Sequence, residues 1–120
     1  MPPEDQHAYA DAHDMTLVPE ERAQEQVAMT WDELVDISQR HVIAAHTASH
    51  ATLPSVVTAE DVEREVTGPV RRIRELTGRT PPALAFLYGR PHDPTTPGWR
   101  GAVDAGVRYA MSNTTLQRLA

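Results

Sequence analysis

Two histidines spaced four residues apart are the side chains of this sequence best suited to hold a divalent metal ion. They are His46 and His50, and they directly follow a short apolar run at residues 42–45. On one helical turn, this spacing lets both neutral imidazoles point a nitrogen at the same ion. Such pairs also occur by chance, and that alternative stays open for the pair taken alone. The metalloprotease motif is excluded, because it requires glutamate where this chain has Thr47.

A second segment with chemical potential follows the apolar run at residues 83–88. Tyr88 ends this run and Gly89 comes next. Glycine at the end of a strand lets a backbone amide approach a ligand closely, as an oxyanion donor must. The alternative interpretation is a simple turn after a buried strand.

Strands alternating with helices are predicted to position both segments. The predicted strands are 42–45, 83–88 and 107–111, and the predicted helices are 30–40, 58–77 and 99–105. This alternation indicates βαβ units and a parallel sheet, in which chemistry gathers at the carboxyl ends of the strands. Both candidate segments lie at such ends, so we expect them to be close together in space.

The helix predicted at 58–77 has the strongest signals. Thr58 is a natural N-cap, and Gly78 supplies a C-terminal stop. Between them, apolar residues recur at spacings of three and four: Val62, Val66, Val70, Ile73 and Leu76. Such a stripe predicts a helix that packs one face against the sheet.

A division at about residue 30 is expected from the change in pattern along the chain. Residues 1–29 lack sustained apolar periodicity and are expected to form a lead-in loop or a poorly ordered segment, with a short helix at 20–27 as the one candidate element. The folded domain is expected at 30–120. It opens with Thr30 and Glu33, whose spacing is that of a capping box.

Composition restricts the class of protein and its partners. The chain has 120 residues and no cysteine, so one domain without disulfide or thiolate chemistry is expected. A formal net charge of −6 argues against nucleic acid or an anionic membrane as partner. No apolar run approaches the roughly 18 residues that span a bilayer. The first residues also lack the apolar stretch of a secretory signal, so the cytoplasm is the expected location.

Taken in order, these segments resemble the polysaccharide deacetylase family, the NodB-homology group of carbohydrate esterases. Residues 46–50, His-Thr-Ala-Ser-His, match the family's His-(Ser/Thr)-x-x-His motif. Leu-Tyr-Gly at 87–89 is similar to the family's Pro-Tyr-Gly, and residues 106–112 resemble the strand that follows it. The resemblance covers residues 30–118, and a small α/β domain with accidental motifs is the remaining alternative.

The resemblance implies an α/β fold, namely a fragment of a distorted (β/α) barrel of the glycoside hydrolase/deacetylase type with parallel strands. The implied function is metal-dependent hydrolysis of a carbon–nitrogen bond that removes N-acetyl groups from a carbohydrate or a related small amide. It further implies that His46 and His50 bind a divalent metal, zinc foremost. Tyr88 would be the backbone oxyanion donor, and Tyr88 with Gly89 would contact the substrate.

Three departures from the family pattern lower the expected activity. The family's Thr-Phe-Asp-Asp-Gly motif should precede residue 30, where Asp11 and Asp14 lack that arrangement. Leu87 replaces a proline, and the late Leu-x-His motif is absent. Weak zinc binding and impaired activity are therefore expected of a truncated chain. The alternative is a diverged, non-catalytic binding or interaction module that retains the deacetylase scaffold. Exposed strand edges of a partial barrel would also favour self-association.

Overall fold

The chain divides into two compact units, residues 1–30 and 31–120. The computed structural model describes residues 3–13, 28–87 and 91–120. In the first unit, helix α1 spans Pro3–Ala12. The lead-in loop expected over residues 1–29 is therefore wrong for this part. The helix has no apolar stripe, so hydrophobic periodicity could not predict it. The short helix expected at 20–27 lies outside the described residues.

The second unit is built on a three-stranded sheet. Its strands, in spatial order, are β1 (Ala83–Ala85), β2 (Tyr109–Met111) and β3 (Leu116–Arg118). The first pair is parallel, as predicted, and Leu84 pairs with Ala110. The second pair is antiparallel. The sheet is therefore mixed: the strands that were predicted pair in parallel, whereas β3 was not predicted and returns as a hairpin after β2. Both predicted strands are also shorter than the ranges 83–88 and 107–111.

The strand predicted at 42–45 reduces to a single bridging residue. Ala45 forms an isolated parallel bridge to β1. Its N–H donates to the carbonyl of Ala83 at 3.0 Å, and its carbonyl accepts from the N–H of Ala85 at 2.9 Å. The prediction is wrong in extent, because Val42 is 78% exposed and the apolar run is not buried as a whole.

Three helices accompany the sheet in the described part of this unit. They are α2 (Trp31–Ser38), α3 (residues 59–77) and α4 (Pro97–Asp104). The predicted caps of α3 are confirmed: Thr58 forms a capping box with Asp61, and Gly78 adopts the left-handed conformation at φ 74°. Among the described residues, no helix is both long enough and apolar enough to cross a bilayer.

The hydrophobic core lies between α3, α4 and one face of the sheet. Val66 and Val70 of the predicted stripe are buried in it, and Val62 and Ile73 pack against it, as predicted. From the sheet the core takes Leu84 and Ala110, and from α4 it takes Trp99 and Ala102. The core thereby fixes α3 against the strands whose ends carry the candidate site.

Helix α3 contains a widened turn that the sequence pattern did not predict. It runs as α-helix at Ala59–Val62, as π-helix at Glu63–Thr67 and again as α-helix at Gly68–Thr77. Pro69 has no N–H to donate and its ring would clash with the carbonyl four residues earlier in a regular helix. The wide turn accommodates it, with the N–H of Gly68 donating to the Glu63 carbonyl five residues back. A Cβ on Gly68 would lie 2.5 Å from that carbonyl oxygen, so only glycine fits.

Replacing Gly68 by alanine tests whether this turn is closely packed. Glycine-to-alanine changes inside helices usually stabilise by about 0.5–1 kcal/mol. Here we expect Gly68→Ala to lower the free energy of unfolding by about 1–3 kcal/mol, because the added methyl overpacks against the Glu63 carbonyl. Urea denaturation measures the change, with the exposed Glu75→Ala in the same helix as control. A Gly68→Ala protein at least as stable as the parent would contradict this packing.

Candidate functional site

The histidine pair lies in a loop, residues 46–50, at the carboxyl end of the sheet. The helical turn expected for it is wrong, because Thr47 and His50 have positive φ angles of 63° and 62°. Non-glycine residues with such angles cost of order 1–3 kcal/mol each and persist only where their surroundings fix them. The rings of His46 and His50 nevertheless converge, with centroids 4.7 Å apart and planes at 74°.

One hydrogen bond orients the ring of His46. Its Nδ1 lies 2.9 Å from the carbonyl oxygen of Ala85, the last residue of β1. A carbonyl only accepts hydrogen bonds, so Nδ1 carries the proton and Nε2 keeps its lone pair. This is the arrangement by which a second partner commonly prepares a histidine for metal binding. Both histidines are exposed, so an ion can reach them from solvent.

A buried carboxylate of helix α3 holds the loop in place. Glu65, in the π-helical turn of α3, is only 3% exposed. Its Oε2 accepts from the N–H groups of Ala48 at 3.1 Å and Ser49 at 2.9 Å. Its Oε1 accepts from the Ser49 hydroxyl at 2.6 Å and from Arg64 Nε at 3.3 Å. The hydrogen bonds from Ser49 are the main cause that lowers the pKa of Glu65, against the opposing effect of burial.

Thr47 supplies a second internal support for the loop. Its hydroxyl oxygen accepts from the N–H of Ala51 at 2.8 Å. Together with the contacts to Glu65, this bond satisfies N–H groups that no strand or helix pairs. The positive φ of Thr47 is thus embedded in a hydrogen-bonded frame.

Glu65 has no motif of its own in the sequence. It stands beside Val66 of the apolar stripe, and polar residues at such positions usually face solvent. The one available signal is Pro69 within a helical pattern, which requires a distorted turn just before it. Such π-turns are frequent at functional sites.

Of the segment predicted to hold the oxyanion donor, the structure describes only the residues on either side. Tyr88 and Gly89 lie outside the described residues, so their roles stay predictions. On the near side, the N–H of Phe86 donates to the carbonyl of Met111 at 3.2 Å, which extends the pairing of β1 with β2.

On the far side of that segment, His92 is held in a structural role. Its Nε2 lies 3.1 Å from the Met111 carbonyl, and its ring packs edge-on against Phe86 at 5.2 Å between centroids. The side-chain amide of Gln117 bonds both backbone groups of His92, at 2.6 Å and 3.1 Å. Because Nε2 is used on a carbonyl, this nitrogen of His92 is not placed as a general acid.

In the described part of the chain, no third side chain able to bind a metal ion joins His46 and His50. Within residues 3–13, 28–87 and 91–120, no group of three or more histidine, cysteine, aspartate or glutamate side chains is placed to hold an ion. Catalytic zinc sites usually have three protein ligands. The pair His46 and His50 is therefore one side chain short of the usual number.

A comparison with family models gives one match. The model described as polysaccharide deacetylase matches residues 10–110 of this chain. The match contains the loop 46–50 and strand β1, and it begins upstream of residue 30, where the resemblance in the sequence starts. No curated protein and no solved structure matches the chain.

Removing the carboxylate of Glu65 should loosen the histidine loop. We expect Glu65→Ala to destabilise the protein by about 1–3 kcal/mol, because it leaves N–H groups without acceptors. We expect Glu65→Gln to cost less, since its amide oxygen can still accept from Ala48 and Ser49. Urea denaturation measures the loss of stability in both variants. Amide hydrogen exchange at Ala48 and Ser49 measures how far the loop is loosened. The control is Glu60→Gln, which removes one negative charge from an exposed position in the same helix. Unchanged exchange at Ala48 and Ser49 in Glu65→Ala would show that the carboxylate does not hold the loop.

Proposed function

Because the chain belongs to the polysaccharide deacetylase family, we propose that it is a hydrolase of this type, which removes N-acetyl groups from a carbohydrate by cleaving an amide carbon–nitrogen bond. The observation that carries the proposal is the pair of histidine rings converging at the carboxyl end of the sheet. Catalytic groups gather at this edge in α/β proteins. The family implies a barrel-like fold, to which the mixed α/β fragment of the described residues would contribute one part.

A divalent metal ion, zinc foremost, would be held by His46 and His50. When bound, it would supply Lewis-acid polarisation of the amide carbonyl. His46 is prepared for this by its bond to Ala85, which leaves Nε2 as the ligand atom. Glu65 keeps the loop in the shape that brings the two rings together.

The backbone amide at Tyr88 is proposed to donate to the oxyanion that forms as the amide carbonyl is attacked. Donors fixed before the reaction stabilise such charge most effectively. Gly89 would let the substrate approach this backbone closely. The two proton carriers that the reaction needs have no counterpart among the described side chains of the site, since His92 is engaged with Met111. The activity of this chain is therefore proposed to be impaired.

A second candidate function is a non-catalytic binding module on the same scaffold. It is favoured by one observation: among the described residues, no third side chain able to bind a metal ion joins His46 and His50. Retention of a metal distinguishes the two candidates, since a module without catalysis has no need of the ion.

Zinc titration tests the histidine pair directly. We expect zinc to bind in calorimetry, but more weakly than in structural sites, where binding contributes about 10–16 kcal/mol, because two ligands are fewer than such sites use. His46→Ala and His50→Ala should each abolish binding, whereas His41→Ala, which removes an exposed histidine at the opposite edge of the sheet, should not. Equal zinc binding in the His46→Ala protein would refute the assignment of the ligands, whereas no zinc binding by the parent chain would favour the binding module.

An acetate-release assay on N-acetylated oligosaccharides tests the activity itself. We expect turnover close to background even with zinc or cobalt, because each missing general acid or base step contributes on the order of 10²–10⁴-fold. The His46→Ala protein is the control. Metal-dependent turnover that disappears in this variant would overturn the proposed impairment. It would then assign the missing role to an upstream acid such as Asp11 or Asp14, both of which lie within the family match.

A further inference from the structure

A cavity of about 220 Å³ lies at the edge of the sheet opposite to the histidine pair. Pro82, just before β1, and Arg108, just before β2, both line it. Because these strands are parallel, this edge carries their amino ends, whereas His46 follows Ala45 at the carboxyl edge. The cavity is therefore a separate site from the proposed catalytic one.

The cavity is lined by two cationic side chains, Arg79 and Arg108, and by no carboxylate. His41 also contributes to its wall. The chain as a whole has 17 acidic residues against 11 lysines and arginines. The wall of this cavity, with arginines and no acidic residue, therefore has the opposite sign of charge to the chain as a whole. In the described part of the chain, all ion pairs of arginine with a carboxylate involve other arginines.

Both arginines keep hydrogen-bond donors free for a ligand. Arg79 uses one Nη on the carbonyl of Ser38, at 3.4 Å. The side chain of Arg108 makes no hydrogen bond or ion pair within the described residues. A guanidinium carries five N–H donors in a planar fork that matches a carboxylate or phosphate.

The ends of two helices also face this cavity. Helix α2 ends at Ser38 and helix α3 at Thr77, and both residues line the wall. Each carboxyl terminus contributes about half a negative charge, so the two together offset roughly one of the arginines. A net positive charge remains at the cavity.

The rest of the wall includes apolar side chains. Val42, Ile43 and Pro82 line the cavity beside the arginines. Its volume corresponds to about seven water molecules at liquid density, which is enough for a small organic molecule. We propose that this cavity binds a small organic anion, whose carboxylate or phosphate group bonds Arg79 and Arg108 while its apolar body packs on Val42 and Ile43.

Three probes that share a phenyl ring test this proposal. Benzoate and phenyl phosphate carry the two head groups, and benzamide is a neutral analogue of benzoate. In NMR titrations of the full chain, we expect both anions to shift the side-chain resonances of Arg79 and Arg108. We expect benzoate to bind at least about tenfold more tightly than benzamide, because charge-assisted hydrogen bonds are the stronger ones. The tighter of the two anions identifies the head group. Benzamide binding as tightly as benzoate would overturn the proposal, as would the absence of shifts at both arginines.

Matched arginine variants locate the binding. We expect Arg108→Gln to weaken the binding of the tighter anion about tenfold, since it removes one charged donor group. Arg118→Gln makes the same change in charge on β3, where Nε donates to the carbonyl of Ala120 outside the cavity, and should leave affinity unchanged. Arg79→Lys, which keeps the charge but loses the fork, should give a smaller loss than Arg79→Gln. Amide spectra of each variant check the fold. An equal loss in Arg118→Gln, or none in Arg108→Gln, would place the anion elsewhere and refute the proposal.

Discussion

The geometry of the candidate site depends on one buried carboxylate in the middle of helix α3. Glu65 accepts hydrogen bonds from two successive backbone N–H groups and from the hydroxyl of Ser49. Burying a charge is unfavourable unless it is paired and hydrogen-bonded, and these donors with Arg64 meet that requirement. In return, a loop without regular secondary structure is tied to helix α3, which packs into the core through Val66 and Val70. The strained residues Thr47 and His50 can therefore keep their conformation.

The position of Glu65 depends in turn on the backbone of α3. Pro69 excludes a regular helix at this point. At position 68 only glycine fits, because any side chain would collide with the Glu63 carbonyl. The resulting wide turn makes Glu65 and Val66, two successive residues, both buried. Val66 packs into the core while Glu65 meets the loop. A helix without the bulge would present its side chains at a different angle beyond this turn, because each residue of an α-helix is rotated by a fixed amount.

The sequence predicted well those features that neighbouring residues determine. The caps of α3 at Thr58 and Gly78 and its apolar stripe are local, and the structure has them. Features that depend on distant partners were predicted in part or not at all. Only Ala45 of the run 42–45 finds a partner in β1, and an apolar run by itself cannot show how far pairing extends. Strand β3 exists because it pairs with β2, and Leu116 at its start is 64% exposed, so no buried pattern marks it.

The histidine pair shows the same distinction within the site. Its convergence was predicted from a helical turn, yet the loop reaches that result through two left-handed residues and a distant glutamate. The frame that holds it consists of hydrogen bonds within the protein, so the rings are brought together without any ion. Ion binding therefore need not order the loop, and affinity would depend on the number and type of ligands. The converging histidines thus support the proposed metal site, whereas activity depends on further groups that the described residues do not bring to it.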